Sequence, residues 1–411
     1  MSKIKIKNFG PIKGGYYDND GWIDIQKVML FIGNQGSGKS TLAKIISCLS
    51  WIEKALIRGD FEEKDLTIKT FVKHCTYQNI GNYFKTETLI DYRGEAYSII
   101  YQNKSISVER NQSLKSFVFP KITYVPAERN FISIVKNPAS IKRLPSTLYT
   151  FLEEYEEAKN QNKSPIKLPI GEAKFEYQKL NDVDYIVGSD YKIKLSEASS
   201  GFQSTVPLYI VSRYWATSIG KQTEDDSIKN LSVEEENRIK RELEQILNNP
   251  NFSVELKRAA IKLLSSRFTY KCFINIVEEP EQNLFPSSQW NLLQNLLIFN
   301  NKHFDNKLIM TTHSPYLVNF LSIAILAGTL KPKVKEGKLL DKLRSVIDLD
   351  ATINMSDIAI YELIENGIIN KLPSFEGIPT DNNFLNKYLR EGNLKFDELL
   401  EIEQELNDEL F

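Results

Sequence analysis

Val28-Met-Leu-Phe-Ile32, then Gly33-Asn34-Gln35-Gly36-Ser37-Gly38-Lys39-Ser40-Thr41, then Leu42-Ala-Lys-Ile-Ile-Ser-Cys-Leu49: an apolar run, a glycine-rich turn closed by Lys-Ser-Thr, and a stretch with apolar residues at helical spacing. A strand, a loop and a helix in that order form a phosphate cradle. The glycines let successive backbone N–H groups turn inward around a β-phosphate, and the helix start adds its partial positive charge. Lys39 is placed to reach β- and γ-phosphates, and the Ser40 hydroxyl to ligate Mg²⁺. The plain alternative is a glycine turn that only caps a helix. The flanks on both sides favour a nucleoside triphosphate site.

The remaining composition sets bounds. A chain of 411 residues has room for two or three structural units around a sizeable core. Its formal charge of −1 gives no global field for nucleic acid, so any DNA contact must come from a local patch. Cys48, Cys75 and Cys272 are far apart and lack metal-ligand spacing, as reduced thiols of a cytoplasmic protein do. No apolar stretch reaches the roughly 18–20 residues that span a bilayer. The N-terminus, Met1-Ser-Lys-Ile-Lys-Ile-Lys7, alternates like a strand and has no signal-peptide core.

Along the chain, residues 4–6, 22–25 and 28–32 read as strands, and 42–58 as a helix. Alternating runs at 88–92, 97–101 and 105–108 read as antiparallel hairpins, and 121–126 as a buried strand. Residues 147–160 look helical and lead into the loop Asn160–Pro165. A helix follows Ser204, and the Lys/Glu-rich stretch 222–262 reads as solvated helices broken at Asn248-Asn-Pro-Asn251. Two β-rich runs, 273–277 and 307–311, flank a helical pattern at 288–299, which implies a parallel crossover. The tail, 396–411, is acidic and helical in pattern.

Three segments add chemistry. Glu278-Glu279-Pro280-Glu281 directly follows the strand at 273–277. Glu278 would stabilise the metal and its water shell, and Glu279 would orient or deprotonate the attacking water. Paired acids are also ordinary surface features. Thr311-Thr-His313-Ser-Pro315 follows the next strand, where His313 could sense a γ-phosphate; a lone histidine is more often structural. Ser199-Ser200-Gly201-Phe202-Gln203 opens a helix and suits a second anion site, or a plain turn.

In this order, the phosphate loop, Ser-Gly-x-Gln, acid pair and Thr-His-Ser resemble ABC-type ATPase heads of the SMC/RecF/OLD-like branch. Within it the chain is similar to compact AAA-family ATPases of bacterial defence and toxin–antitoxin operons, over roughly residues 1–330. The resemblance implies an α/β P-loop NTPase of ABC head type: a mixed core sheet flanked by helices, an antiparallel β lobe and a helical insertion. It implies ATP and Mg²⁺ as ligands, with residues 33–41 holding the nucleotide and Ser40 and Glu278 serving the metal. Lys39, Glu279 and His313 would be catalytic. It further implies a homodimer that sandwiches two ATP molecules, with Ser200, Gly201 and Gln203 of one subunit on the nucleotide held by the other. Several positions differ from that pattern. Glu278 stands for aspartate, Phe202 for the second signature glycine, and Phe285 where a histidine often precedes proline. Tyr124-Val-Pro126-Ala-Glu128-Arg129 occupies the place of the usual glutamine; Glu128 or Arg129 would either replace it or form a surface ion pair.

These readings divide the chain into an N-terminal ATPase lobe with a hairpin subdomain (1–146), a helical region with the signature and charged insertion (147–270), a C-terminal ATPase lobe (271–330) and a cap with the acidic tail (331–411). The cap carries no readable motif beyond a hairpin pattern at 358–369. The resemblance implies an ATP-driven dimer that controls a separately encoded effector, a nuclease or toxin. The alternatives are a RecF-like DNA clamp, using basic residues such as Lys104, Arg110, Lys136, Lys142 and Arg143, and a nucleotide-locked scaffold. The absence of long coiled-coil patterning argues against SMC-type tethering.

Overall fold

The computed structural model describes residues 2–114, 116–135, 141, 143–162, 165–219, 233–250 and 252–409. Lys136 and Lys142, residues 163–164 of the expected loop, residues 222–232 of the charged stretch, Asn251 and the last two residues of the tail lie outside them.

A seven-stranded sheet forms the centre, in the order Gly15–Tyr16, Ile368–Lys371, Ile358–Leu363, Val28–Gly33, Lys307–Thr311, Cys272–Glu278, Pro120–Val125. The five strands from Ile358–Leu363 to Pro120–Val125 run parallel. Both faces of these strands are covered, which is why Val28–Ile32 reads as an unbroken apolar run rather than an alternating one. Val28, Leu30 and Ile32 pack toward the helices Ser146–Gln161, Ser200–Ser218, Pro286–Asn301 and Pro315–Leu330. Met29 and Phe31 pack the other way, with Leu42, Ile45, Ile46 and Leu49 of the helix Lys39–Arg58. The two parallel strands expected on either side of a crossover helix are present, and Cys272–Glu278 and Lys307–Thr311 are direct neighbours.

The hairpins expected in the first third form an antiparallel lobe of five strands, Ile23–Asp24, Lys3–Phe9, Phe84–Arg93, Tyr97–Gln102 and Ser105–Arg110. Its tie to the phosphate-loop helix is Glu53. This buried carboxylate accepts hydrogen bonds from the Tyr92 hydroxyl (2.7 Å), Ala96 N–H (2.6 Å) and Tyr97 N–H (3.2 Å).

Two features depart from the sequence reading. A second antiparallel sheet, Ile166–Lys167, Lys174–Gln178, Val183–Val187 and Lys192–Lys194, lies between the helix at 146–161 and the Ser-Gly-x-Gln segment. Its strands are two to five residues long, so the alternation in Lys174–Gln178 and Lys192–Lys194 spans too few residues to mark a sheet, although Ile166, Phe175 and Ile186 are buried in the core. The hairpin at 358–369 does form, but it is not part of a cap. Ile358–Leu363 pairs in parallel with the phosphate-loop strand, Leu30 opposite Ile360 and Gly33 opposite Leu363. The boundary drawn at 331 therefore cuts through the core sheet. Of the charged stretch, helices Val233–Asn248 and Val254–Phe268 pack on one another through Ile239, Leu264 and Phe268. The acidic tail belongs to a helix, Phe384–Glu409. No helix among the described residues is long and apolar enough to cross a membrane.

Candidate functional site

The phosphate loop sits where the strand Val28–Gly33 hands over to the helix Lys39–Arg58. Gly33, Gly36 and Gly38 have φ of +140°, +74° and +106°, backbone that a side chain resists. Gly33 is doubly constrained, since a Cβ there would collide with the Leu363 carbonyl of the neighbouring strand. At Gly36 a Cβ would meet nothing within 4 Å, so the turn faces open space. Ser37 Oγ is buried without a hydrogen-bond partner among the described residues, a donor awaiting an acceptor. Lys39 Nζ donates to the carbonyls of Gly33 and Asn34, both at 2.9 Å, and is itself buried. Burial pushes its ammonium down to about 8, against the opposing pull of Glu279, Glu281 and Glu278. Asn34 reaches Gln35 N–H with its Oδ1 (2.8 Å) and Glu365 with its Nδ2 (3.3 Å), bracing the loop tip against the C-terminal hairpin.

The sheet order places the His313 strand directly beside the phosphate-loop strand and the acid-pair strand one further along. Glu278 ends its strand buried. Its Oε1 accepts from the Tyr124 hydroxyl, its Oε2 from Ala127 N–H (3.2 Å), and Lys44 Nζ lies 3.8 Å away. Glu279 follows at φ +44°, a left-handed conformation that costs a non-glycine residue of order 1 kcal/mol or more and recurs at reacting centres. Two grips hold it there. Its N–H donates to the Thr311 carbonyl (2.9 Å), and its own carbonyl accepts from Arg129 Nη2 (2.7 Å). The Glu279 carboxylate stands 3.5 Å from His313 Nε2. Burial, then the charge of Glu278, raises the Glu279 carboxyl above its ordinary value, while Arg129 and Lys39 oppose the shift. Burial and the charge of Lys39 lower the His313 imidazole.

Glu281 and Arg129 organise these groups, and reading the sequence missed both roles. Glu281 Oε1 accepts from the Thr312 hydroxyl (2.8 Å) and His313 N–H (2.7 Å), setting the turn that presents the imidazole. Arg129 is wholly buried, which rules out the surface ion pair. Its guanidinium donates to four carbonyls: Pro126 (3.2 Å), Glu278 (2.7 Å), Glu279 (2.7 Å) and Ser204 (2.9 Å). One side chain thus joins the acid pair to the helix that begins at Ser200. Glu128 is exposed. The only signal for Arg129 was its place after a buried strand, which does not distinguish a clamp from a surface residue.

Ser200 is exposed at the start of that helix, and Gly201 is buried with Asn283 O only 2.9 Å from where a Cβ would sit. Asn283 Nδ2 also donates to Ser204 Oγ (3.0 Å), so the segment after the acid pair packs on the helix start. No hydrogen bond among the described residues joins Ser200 or Gly201 to the phosphate loop. Gln203 departs from its expected part. Its amide is buried and donates to the carbonyls of Ser196 (3.1 Å) and Ala198 (2.9 Å), which occupies it within its own loop. Phe202 packs against Gly171 and the core, where glycine would leave a gap. Phe285 is 76% exposed, preceding Pro286 at the first position of its helix.

The residues fit a nucleotide with Mg²⁺. The loop offers open backbone, an unpaired hydroxyl and an ammonium. Ser40 is half-buried in the first helical turn. Among the described residues no three His, Cys, Asp or Glu side chains converge as a metal cage.

No protein-family pattern matches this chain, and no curated protein matches its sequence. Solved structures do. An SMC head domain from Thermotoga maritima is 12% identical with a TM-score of 0.36, covering 91% of this chain and 98% of that one. An Smc head with an extended coiled coil, bound to the C-terminal domain of ScpA derived from Pyrococcus furiosus, gives 9% and 0.38, covering 90% and 96%. A dimeric ATP-binding cassette in a post-hydrolysis state with ADP and Pi gives 12% and 0.27, covering 91% and 100%. The α/β sheet, the phosphate loop and the antiparallel lobe stand on the geometry above.

Proposed function

We propose that this protein is an ABC-type ATPase head that binds ATP with Mg²⁺, dimerises around two nucleotides, and uses the cycle to control a separately encoded effector. The observation that carries the reading is the convergence of Glu279, His313 and Arg129 at strand ends beside the phosphate loop. Backbone N–H groups of residues 33–38, the Ser37 hydroxyl and Lys39 bind the β- and γ-phosphates. Ser40, with Glu278 alongside, would hold a Mg²⁺ ion, which would supply charge neutralisation on the phosphates. Glu279 accepts a proton from the attacking water; its raised affinity for protons makes it a better base than an exposed carboxylate. His313 donates to a γ-phosphate oxygen from its Nε2 side. Ser200 and the Gly201 N–H lie at an exposed helix start, suited to a phosphate from a partner subunit. Arg129 ties that helix to the Glu279 backbone, so docking of a second subunit is mechanically linked to the base.

Glu279→Gln tests the reading. The amide keeps shape and loses the proton acceptor, so hydrolysis should fall roughly 10²–10⁴-fold while ATP binding persists. Turnover near wild type would move the chemistry elsewhere.

A DNA clamp is the second reading, and one observation favours it. Lys3 and Lys5 alternate outward along the first lobe strand, and with Arg93 they lie over the Trp22 ring at 4.5, 5.0 and 4.7 Å. A steep fall of DNA affinity with salt would support it.

A further inference from the structure

The helix Phe384–Glu409 is held at its start. Phe384 N–H donates to the Glu362 carboxylate, on the strand beside the phosphate-loop strand, and Leu385 packs on the core. From Gly392 to Leu406 every residue is exposed. Those fifteen residues make roughly 22 Å of helix. A helix of this length is marginal in water on propensity alone, and its stability comes from packing an apolar face on something.

It has such a face. Tyr388, Phe396, Leu399, Ile402 and Leu406 recur at helical spacing along one side, and each is more than half exposed. Gly392 falls on the same stripe, in a helix interior that glycine weakens, and a Cβ there would meet nothing within 4 Å. Two charged residues interrupt the stripe, Lys395 and Glu403. Their placement is symmetric. Lys395 and Glu403 lie four residues either side of Leu399, Phe396 and Ile402 three either side, and Gly392 and Leu406 seven either side. A second copy laid antiparallel across Leu399 therefore sets each Lys395 against the partner's Glu403 and each Phe396 against the partner's Ile402. Each Leu406 then meets the partner's Gly392, where the missing side chain leaves room. A parallel pair would set lysine on lysine and glutamate on glutamate.

We infer that this face is a self-association surface, and that its partner is the same helix of a second copy, antiparallel and centred on Leu399. It needs no nucleotide and does not rest on the ATP-driven dimer proposed above. A two-fold axis through Leu399 makes the contact isologous, so the Lys–Glu pairing is made twice. The mirrored charges single out a second copy over a partner of other sequence, for which symmetry about one leucine carries no advantage. Two short helices cover less surface than most specific interfaces, so the pair is weak and reversible. At concentrations well below its dissociation constant it comes apart, and ATP-dependent dimers can be read there separately.

Sedimentation equilibrium of nucleotide-free protein tests this, in the Lys39→Ala background so that no ATP sandwich can form. The protein should dimerise with a dissociation constant on the order of 10 μM, the weak end for specific interfaces. Leu399→Glu, which puts two carboxylates at the centre, should leave a monomer. Lys395→Glu and Glu403→Lys should each weaken the dimer about tenfold, as two opposite-charge contacts become two like-charge ones. Combining the two should restore it to within about twofold, the signature of direct contact. In an otherwise wild-type background these variants should keep wild-type ATP affinity, which reports folding. A monomer up to roughly 100 μM, a dimer indifferent to Leu399→Glu, or single charge changes that weaken association without mutual rescue would each overturn the assignment. A dimer that needs ATP and survives Leu399→Glu would be the nucleotide sandwich alone, which overturns this inference and leaves the proposed function standing. A nucleotide-free dimer that obeys the charge exchange, with no further closure in ATP, would support this inference and sink the sandwich.

Discussion

Lys39 meets two opposed demands: burial favours the neutral amine, and a bound phosphate favours the ammonium. In the free protein its proton leaves at about 8, well below the ordinary 10.5, because desolvation outweighs three nearby carboxylates. Phosphate binds the charged form, so above pH 8 nucleotide binding must take up a proton. As far as Lys39 sets it, ATP affinity should therefore fall as pH rises above about 8, approaching about tenfold per unit until the pH reaches the higher value the ammonium takes beside bound phosphate. Titration in buffers of different ionisation heat would check both slope and proton uptake, and flat affinity up to pH 10 would contradict it. Glu279 acts on the acid side. As the proposed base it would work deprotonated, and its raised carboxyl should place the acid limb of kcat above that of an ordinary glutamate. Glu279→Gln should erase that limb from the residual rate. Arg129 belongs to the same scale. A lysine there has three donors where the guanidinium meets four carbonyls through a fixed fork. Arg129→Lys should cost about 2–4 kcal/mol in urea unfolding, by the loss of charged buried hydrogen bonds. An unchanged midpoint would mean the clamp is not structural.

Between elements, the joint that matters is the one between the phosphate-loop helix and the antiparallel lobe. Glu53 fills it, and Gly94 leaves room for it, since a Cβ at 94 would overlap the Glu53 carboxylate. Burial raises the Glu53 carboxyl, and its three donors offset only part of this. Gly94→Ala should displace that carboxylate and cost about 1–3 kcal/mol, the range for overpacking a filled site. Differential scanning calorimetry would show it, and Glu53→Gln combined with Gly94→Ala should lose less than the sum if the two act through one contact. Elements also show how far sequence reading reaches. Val28–Gly33 and its helix were legible because glycine spacing, Lys-Ser-Thr and flanking periodicity agree. Ile358–Leu363 was legible as a strand but not as the neighbour of Gly33, because register across more than 300 residues leaves no local mark. Arg129 was invisible as an organiser, since its partners are backbone carbonyls that any sequence would supply, and Glu281 because the Thr312 hydroxyl and His313 N–H it holds lie more than 30 residues away with no local mark of the contact. Gln203 was misread, because a buried amide that caps its own loop and one that meets a ligand look alike in one dimension.

At the scale of the whole molecule, the decisive question is whether one copy is a complete catalyst. The phosphate loop, Glu278, Glu279 and His313 cluster at adjoining strand ends of one sheet. Ser200 and Gly201 begin a helix that no hydrogen bond among the described residues joins to that loop, yet Arg129 connects it to the base. An exposed helix start tied to Glu279 through Arg129 is what the proposed two-fold arrangement needs: each subunit would close the other's nucleotide, and each seam would report to the proposed water-activating group. The three native cysteines are buried, so introduced thiols can be read without background. Mixing Ser200→Cys with Gln35→Cys, both in the Glu279→Gln background, should give a disulfide between subunits in ATP and little in ADP. Gln35 is exposed at the loop tip, so its replacement leaves the phosphate cradle intact. Ser200→Arg should prevent ATP-dependent dimers in light scattering while the monomer still binds nucleotide. A link that fails to form in ATP, or forms equally in ADP, would mean that ATP does not close two copies face to face, and Ser200 would then be a surface helix start and nothing more.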